Sequence, residues 1–187
     1  FIVDEEDKLF WYFYVILNGI KTYEYEKNAV FKVEKDFKIA SIEQLRKKKP
    51  ILKEHKLRLT EIEDELLNQS KITLKGLYGL CLLHNINIMY VWDRKYVHIY
   101  TNCEDKTHII EKHNGVDKYI IHNDTPIQDY IDKFWKIENI SKPLKGFSVY
   151  SLVELVTICN KLNISCKDER NKKKTKKMLY EDIIKTL

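Results

Sequence analysis

Four cysteines and six histidines carry the intrinsic nucleophilic and metal-binding chemistry of this chain, and their spacing decides whether it can be used. Cys81, Cys103, Cys159 and Cys166 form no Cys-x-x-Cys pair and fit no small disulfide scaffold, which points to a reducing compartment. His84, His98, His108, His113 and His122 cluster in one stretch, with Cys81 three residues before His84. No spacing among them is that of a zinc site, so no metal ligands and no cofactor are assigned. Cys103 could be paired with His98 or His108, but these residues fall in or beside expected hairpin turns. A thiolate is better stabilised at a helix N-terminus. Glu61 and Glu65 share one helical face; they could act as acid and base in a pocket, whereas in a first turn they stabilise the helix dipole. The sharper signal is a set of cations: Arg170, Lys172, Lys173, Lys174, Lys176 and Lys177. They crowd an expected helix start, where each costs roughly a few tenths of a kcal/mol against the dipole. An anionic partner, either phosphate or the acidic face of a protein, would offset that cost.

Charge distribution reinforces the point. The net charge is +5, yet residues 141–187 hold 11 Lys/Arg against 5 Asp/Glu, while residues 1–140 hold 22 against 23. Any electrostatic partner therefore belongs to the last quarter of the chain. The 187 residues suit one domain, or one domain with a small appendage, and 44% apolar residues are enough for a core. The apolar run Phe10 to Leu17 is far short of the ~20 residues that span a bilayer. No signal peptide is visible, and the missing initial methionine suggests that the true N-terminus lies upstream.

The elements that must position these residues follow from periodicity. Residues 8–18 read as a buried helix stopped by Asn18-Gly19. Phe37, Ile39, Ile42 and Leu45 mark a second helix ended by Pro50. Thr60 and Glu63 have the capping-box spacing ahead of Ile62 and Leu66. "ITLKGLYGLCLLHN" is apolar nearly all round and should be a central helix. Four β-branched and aromatic runs then follow, "INIMYVW", "KYVHIYTN", "THIIEKH" and "DKYIIHN", with turns at Asp93-Arg94 and Asn114-Gly115. They predict an antiparallel meander packed on that helix. A short helix after Pro126 and a short strand at "WKIEN" lead to a linker over residues 139–146. Two further helices are expected, one burying Val149, Leu152, Val153, Val156 and Cys159, the other Leu179, Ile183, Ile184 and Leu187.

Three resemblances attach to these segments. The order from the central helix through "NINIMYV" to "DKYII" resembles the second half of ovarian-tumour-type cysteine proteases, of the papain-like superfamily. "DKLFWYFY" is similar to the start of their nucleophile helix. That likeness places Lys8 where the cysteine would stand and Lys118-Tyr119 where the family has His-Tyr, so it implies the fold without the chemistry, since an ammonium cannot replace a thiolate. "ERNKKKTKKMLYEDIIKTL" resembles the helix–extended–helix modules called SAP and Rho-N, with Leu179 and Ile183 at their apolar positions and the usual glycine replaced by lysines. Finally, "FWYFYVILNG", "IEQLRKKKPILKEHK", "EIEDELLNQSKITLKGLYGLCLLHNINIMYV" and "WKIENISKPLKGFSVYSLVELVTICNKLNI" together look like an uncharacterised protein family of nucleocytoplasmic large DNA viruses. That likeness spans nearly the whole chain and implies a viral protein made in host cytoplasm and carried in the virion.

The expectation is therefore an α+β protein. Residues 1–140 form a body of helices on an antiparallel β-meander, a degenerate papain-like arrangement, and residues 141–187 form a basic two-helix module. The expected role is that of a non-enzymatic structural protein of a large DNA virus particle, a minor capsid or internal assembly component. Its expected partners are other virion proteins, with no membrane span and no small-molecule substrate. The alternative is a nucleic-acid-binding protein using the basic module on DNA. A third reading is a degenerate protease retained to bind ubiquitin-like partners.

Overall fold

The first long element forms where six consecutive large side chains, Phe10 to Val15, leave a helix no polar face. In the computed structural model, which describes residues 1–101, 106–112, 119–122 and 126–187, all six are buried in α1 (Lys8–Asn18). Asp7 caps it by accepting from the Phe10 N–H, and Gly19, at φ +86°, ends it. A positive φ suits glycine, so the chain turns and at once begins α2 (Ile20–Glu26).

The described chain is α+β and divides into two compact units, Phe1–Met89 with Ile99–Asn123, and Tyr90–His98 with Asp124–Leu187. In the first, α3 (Val30–Lys47) buries Ile42 and Leu45 as expected but turns Ile39 outward. Lys38 goes inward instead, because its ammonium meets Asp7 at 2.7 Å and Glu34 at 2.7 Å. Pro50 sits in the first turn of α4 (Lys49–Glu54), where its missing N–H costs nothing. The capping box expected at Thr60 and Glu63 does not form. Helix α5 (Leu59–Asn68) begins after Arg58, which leaves Thr60 inside the helix and Glu63 bonded to Arg46 at 2.7 Å.

Helix α6 (Leu74–His84) is central, as its apolar composition requires, with Leu77 and Leu80 to Leu83 buried. It approaches α5 closely at Gly79, where a Cβ would lie 2.9 Å from Ile62 Cδ1. Ile62 is fully buried and cannot swing away, so Gly79→Ala is expected to destabilise by about 1–3 kcal/mol. A lower urea midpoint at unchanged slope would confirm this; an unchanged midpoint would contradict it.

The strands are β1 (Asn87–Trp92), β2 (Lys95–Ile99), β3 (Thr107–Lys112), β4 (Tyr119–His122) and β5 (Trp135–Lys136). Their order, β4-β3-β1-β2-β5, corrects the expected antiparallel meander. β1 lies between β3 and β2, and β5 joins parallel to β2 with Lys95 opposite Trp135, so the sheet is mixed. The reason is burial: five of the six β1 residues are covered, and such a strand needs neighbours on both edges. Asp93 and Arg94, at φ +40° and +61°, make the tight turn expected between β1 and β2. β3 and β4 pair antiparallel, and the Asn114-Gly115 turn lies outside the described residues.

In the second unit, α7 (Ile127–Lys133) follows Pro126 and leads to β5. Helices α8 (Leu152–Leu162) and α9 (Lys176–Thr186) bury Leu155, Ile158, Cys159, Leu162, Leu179 and Ile183. The stripe expected on α8 is thereby corrected: only Cys159 of it is buried, while Val149, Leu152 and Val153 are exposed. Ile184 and Leu187 are exposed as well. The α8 sequence carries two apolar faces at helical spacing, and periodicity alone cannot select which one turns inward. Buried Lys95 donates to the Thr186 carbonyl at 2.8 Å, a cation placed at the negative end of α9. No described helix is long and apolar enough to cross a membrane.

Candidate functional site

The cationic segment is built by the end of α8. Ser151 and Glu154 form the capping box that starts that helix, and Asn163, in the left-handed conformation, stops it. The chain then folds into a tight loop rather than a free extended stretch. The Asp168 carboxylate accepts from the Arg170 N–H at 2.9 Å and the Lys172 N–H at 2.8 Å. Asn171 adopts φ +59°, the Lys172 carbonyl accepts from the Asp168 N–H, and the Lys174 N–H closes the loop on the Cys166 carbonyl. Lys167 and Lys173 meet as an antiparallel bridge. Thr175 then caps α9 through the Met178 N–H.

This geometry divides the six predicted cations. Arg170, Lys172 and Lys173 are exposed and form no ion pair among the described residues. Lys174 is half-buried and bonded to Asp182 at 2.8 Å. That bond raises the lysine above its usual range and holds the Asp182 carboxyl below its own. Lys176 lies 4.5 Å above the ring of Phe147, a cation–π contact, and Lys177 reaches Glu181 only loosely at 3.9 Å. The dipole penalty at the start of α9 is therefore met partly from within, by Asp182 and the Phe147 ring. Neither was anticipated from the sequence; the Asp182 position, nearly two turns into the helix, was the available signal.

A cleft of about 560 Å³ opens beside the loop. Its walls alternate in sign, with Lys167, Arg170 and Lys172 set against Asp168, Glu169 and Glu181. Such a surface can pair both charges of a protein partner. A polyphosphate carries no cation to match the interleaved carboxylates, whereas an acidic protein face can bring one.

The candidate nucleophiles are placed elsewhere. Lys8 opens α1, and its ammonium donates to the carbonyls of Val3 at 2.9 Å and Glu5 at 3.3 Å. Of the counterpart pair, Lys118 and the Tyr119 side chain lie outside the described residues, as do Cys103, His113 and the His122 side chain. Burial pushes the Cys81 thiol well up and the Cys159 thiol up to about 11, so neither offers a thiolate at neutral pH. Among the described residues no group of three or more His, Cys, Asp or Glu could hold a metal ion. The Glu61–Glu65 pair is structural: Glu61 bonds Lys75 at 2.8 Å, and Glu65 caps α6 through the N–H groups of Thr73 and Gly76.

His84 is stacked on Phe37 with its Nε2 buried and without a hydrogen-bond partner. Burial, aided by the Lys48 ammonium, lowers its pKa below 6.5. The unfolded chain then binds the proton more readily, so stability is intact above about pH 6.5 and declines as pH falls below it. His98 is lowered in the same direction by burial and Lys136. Thermal melts should show a lower midpoint at pH 5.5 than at 7.5, with a smaller difference in His84→Phe; an equal difference in the variant would remove His84 from the account. No family model, no curated protein and no solved structure matches this chain.

Proposed function

We propose that this chain is a non-enzymatic structural protein of a large DNA virus particle, a minor capsid or internal assembly component. In this reading the surface around residues 170–177 docks on an acidic face of another virion protein. The observation that carries the docking is the loop itself: Asp168 and the Lys167–Lys173 bridge fix the backbone that carries Arg170, Lys172 and Lys173, three exposed cations with no ion pair among the described residues. A pre-ordered loop loses little conformational freedom on binding, which favours a specific protein contact. The viral origin rests on the resemblance of the chain's ordered segments to the large-DNA-virus family. The finer readings of the fold belong to the same proposal: a degenerate papain-like body, and α8 with α9 as a two-helix module joined by the basic loop.

Mass spectrometry of particles purified from infected host cells tests the role. The chain is expected among the particle proteins, and its absence would overturn the reading. The nucleic-acid alternative is favoured by one observation, the exposed cations Lys172 and Lys173 close to the first turn of α9. It requires DNA affinity to fall steeply with salt, at roughly 0.9 in log–log slope for each phosphate neutralised.

A further inference from the structure

One of the apolar side chains that α8 leaves outside, Val153, lines a groove with a cationic rim. Val153 is 73% exposed, Leu152 49% and Val149 60%, all at the N-terminal end of α8 or just before it. A groove of about 350 Å³ runs between this helix and residues 135–145. Val153 and Thr157 line one wall, Pro143 the other, and the nearly buried Trp135 and Ile158 lie deeper. Lys136, Lys142 and Lys145 also line it, with Glu138 and Glu154 as the acids. Both acids are committed: Glu138 bonds Lys145 at 2.7 Å, and Glu154 accepts the Ser151 N–H at 2.6 Å. Lys136 and Lys142 form no ion pair among the described residues. An apolar channel is thus bordered by a net positive charge, three lysines against two glutamates.

The groove is continuous with the cationic surface already described. Phe147 carries the Lys176 ammonium over its ring, and the Tyr180 hydroxyl of α9 donates to the Lys145 carbonyl at 2.9 Å. Resting on the docking reading above, we infer that this groove binds an acidic peptide segment of another protein, with an aliphatic or aromatic anchor seated against Val153 and carboxylates on Lys136 and Lys142. Phosphate alone would use the lysines and leave the apolar wall in water. A lipid surface would call for a protruding apolar edge, whereas Val153 faces a concavity. An acidic segment with apolar anchors satisfies both halves, as interfaces do when a buried anchor is ringed by polar contacts.

The test is selection of a displayed library of random 12-residue peptides on the whole protein, followed by titration of the enriched sequences as fluorescein-labelled peptides. Enriched peptides should combine Asp or Glu with Leu, Ile, Phe or Trp. Val153→Glu should weaken them at least about tenfold, and Lys136→Glu with Lys142→Glu several-fold. Glutamate in the first turn of α8 suits the helix dipole, so the variant should keep the parent melting temperature. Thr157→Glu, one turn further along the same wall, gives the same readout if it does not. No enriched class, peptides without carboxylates, or binding indifferent to both wall variants would overturn the inference. So would competition by anionic phosphatidylserine vesicles, or self-association abolished by Val153→Glu in sedimentation. A chain found in particles but selecting no such peptides would sink only the groove; peptides selected by a chain absent from particles would sink only the virion role.

Discussion

Asp7→Ala is expected to lower the free energy of unfolding by about 3–5 kcal/mol, because it takes one of two carboxylates from a buried ammonium and the acceptor from two backbone N–H groups. Asp7 is 1% exposed and joins three elements. Its carboxylate caps α1 at the Phe10 N–H, accepts the Ile72 N–H at 3.1 and 3.2 Å ahead of α6, and pairs with Lys38 of α3 at 2.7 Å. Lys38 also bonds Glu34, whose second oxygen takes the Trp11 indole N–H at 2.8 Å, and its ammonium stands 5.0 Å from the Phe10 ring. Removing the carboxylate leaves two backbone N–H groups without that acceptor and Lys38 with half of its compensation. Against the roughly 5–15 kcal/mol that hold an ordinary domain together, this is a large fraction. Lys38→Met should cost less, since the carboxylate keeps both N–H donors and the replacement fills the same space with apolar atoms. Urea denaturation of the three proteins decides the matter: equal midpoints for parent and Asp7→Ala would mean that the network contributes nothing.

The second large effect concerns partners. Reversing Arg170, Lys172 and Lys173 together to glutamate should leave the melting temperature nearly unchanged, because none of the three forms an ion pair among the described residues. Surface changes away from packed features stay within about 0.5 kcal/mol. Incorporation into particles should nevertheless fall by about tenfold or more, since like charges brought together across an interface cost several kcal/mol. Lys174→Ala is the contrasting variant. It breaks the half-buried bond to Asp182 and should lower the melting temperature. Quantitative mass spectrometry of particles assembled with each variant, read beside thermal melts, separates the two roles. Full incorporation of the triple reversal would sink the docking surface. Loss of DNA retention at normal incorporation would move the lysines to the nucleic-acid reading.

What could be read from residue order alone was whatever depends on local chemistry. The run Phe10 to Leu17 had to form a mostly buried helix, and Asp93-Arg94 had to turn between two strands. The excess charge had to lie after residue 140. These follow from side-chain size, backbone preference and counting. The tertiary structure decided everything that depends on which of two acceptable faces meets a neighbour. It chose Leu155, Ile158 and Leu162 over Leu152 and Val153 for the inside of α8, and so left an apolar groove at the surface. It placed β1 in the interior of a mixed sheet where adjacency in sequence had suggested a meander. It also brought Lys38 inward, because Asp7, 31 residues away in sequence, was there to receive it. Periodicity describes a helix or strand by itself, whereas burial is a property of pairs of surfaces, and only packing reveals the partner of each.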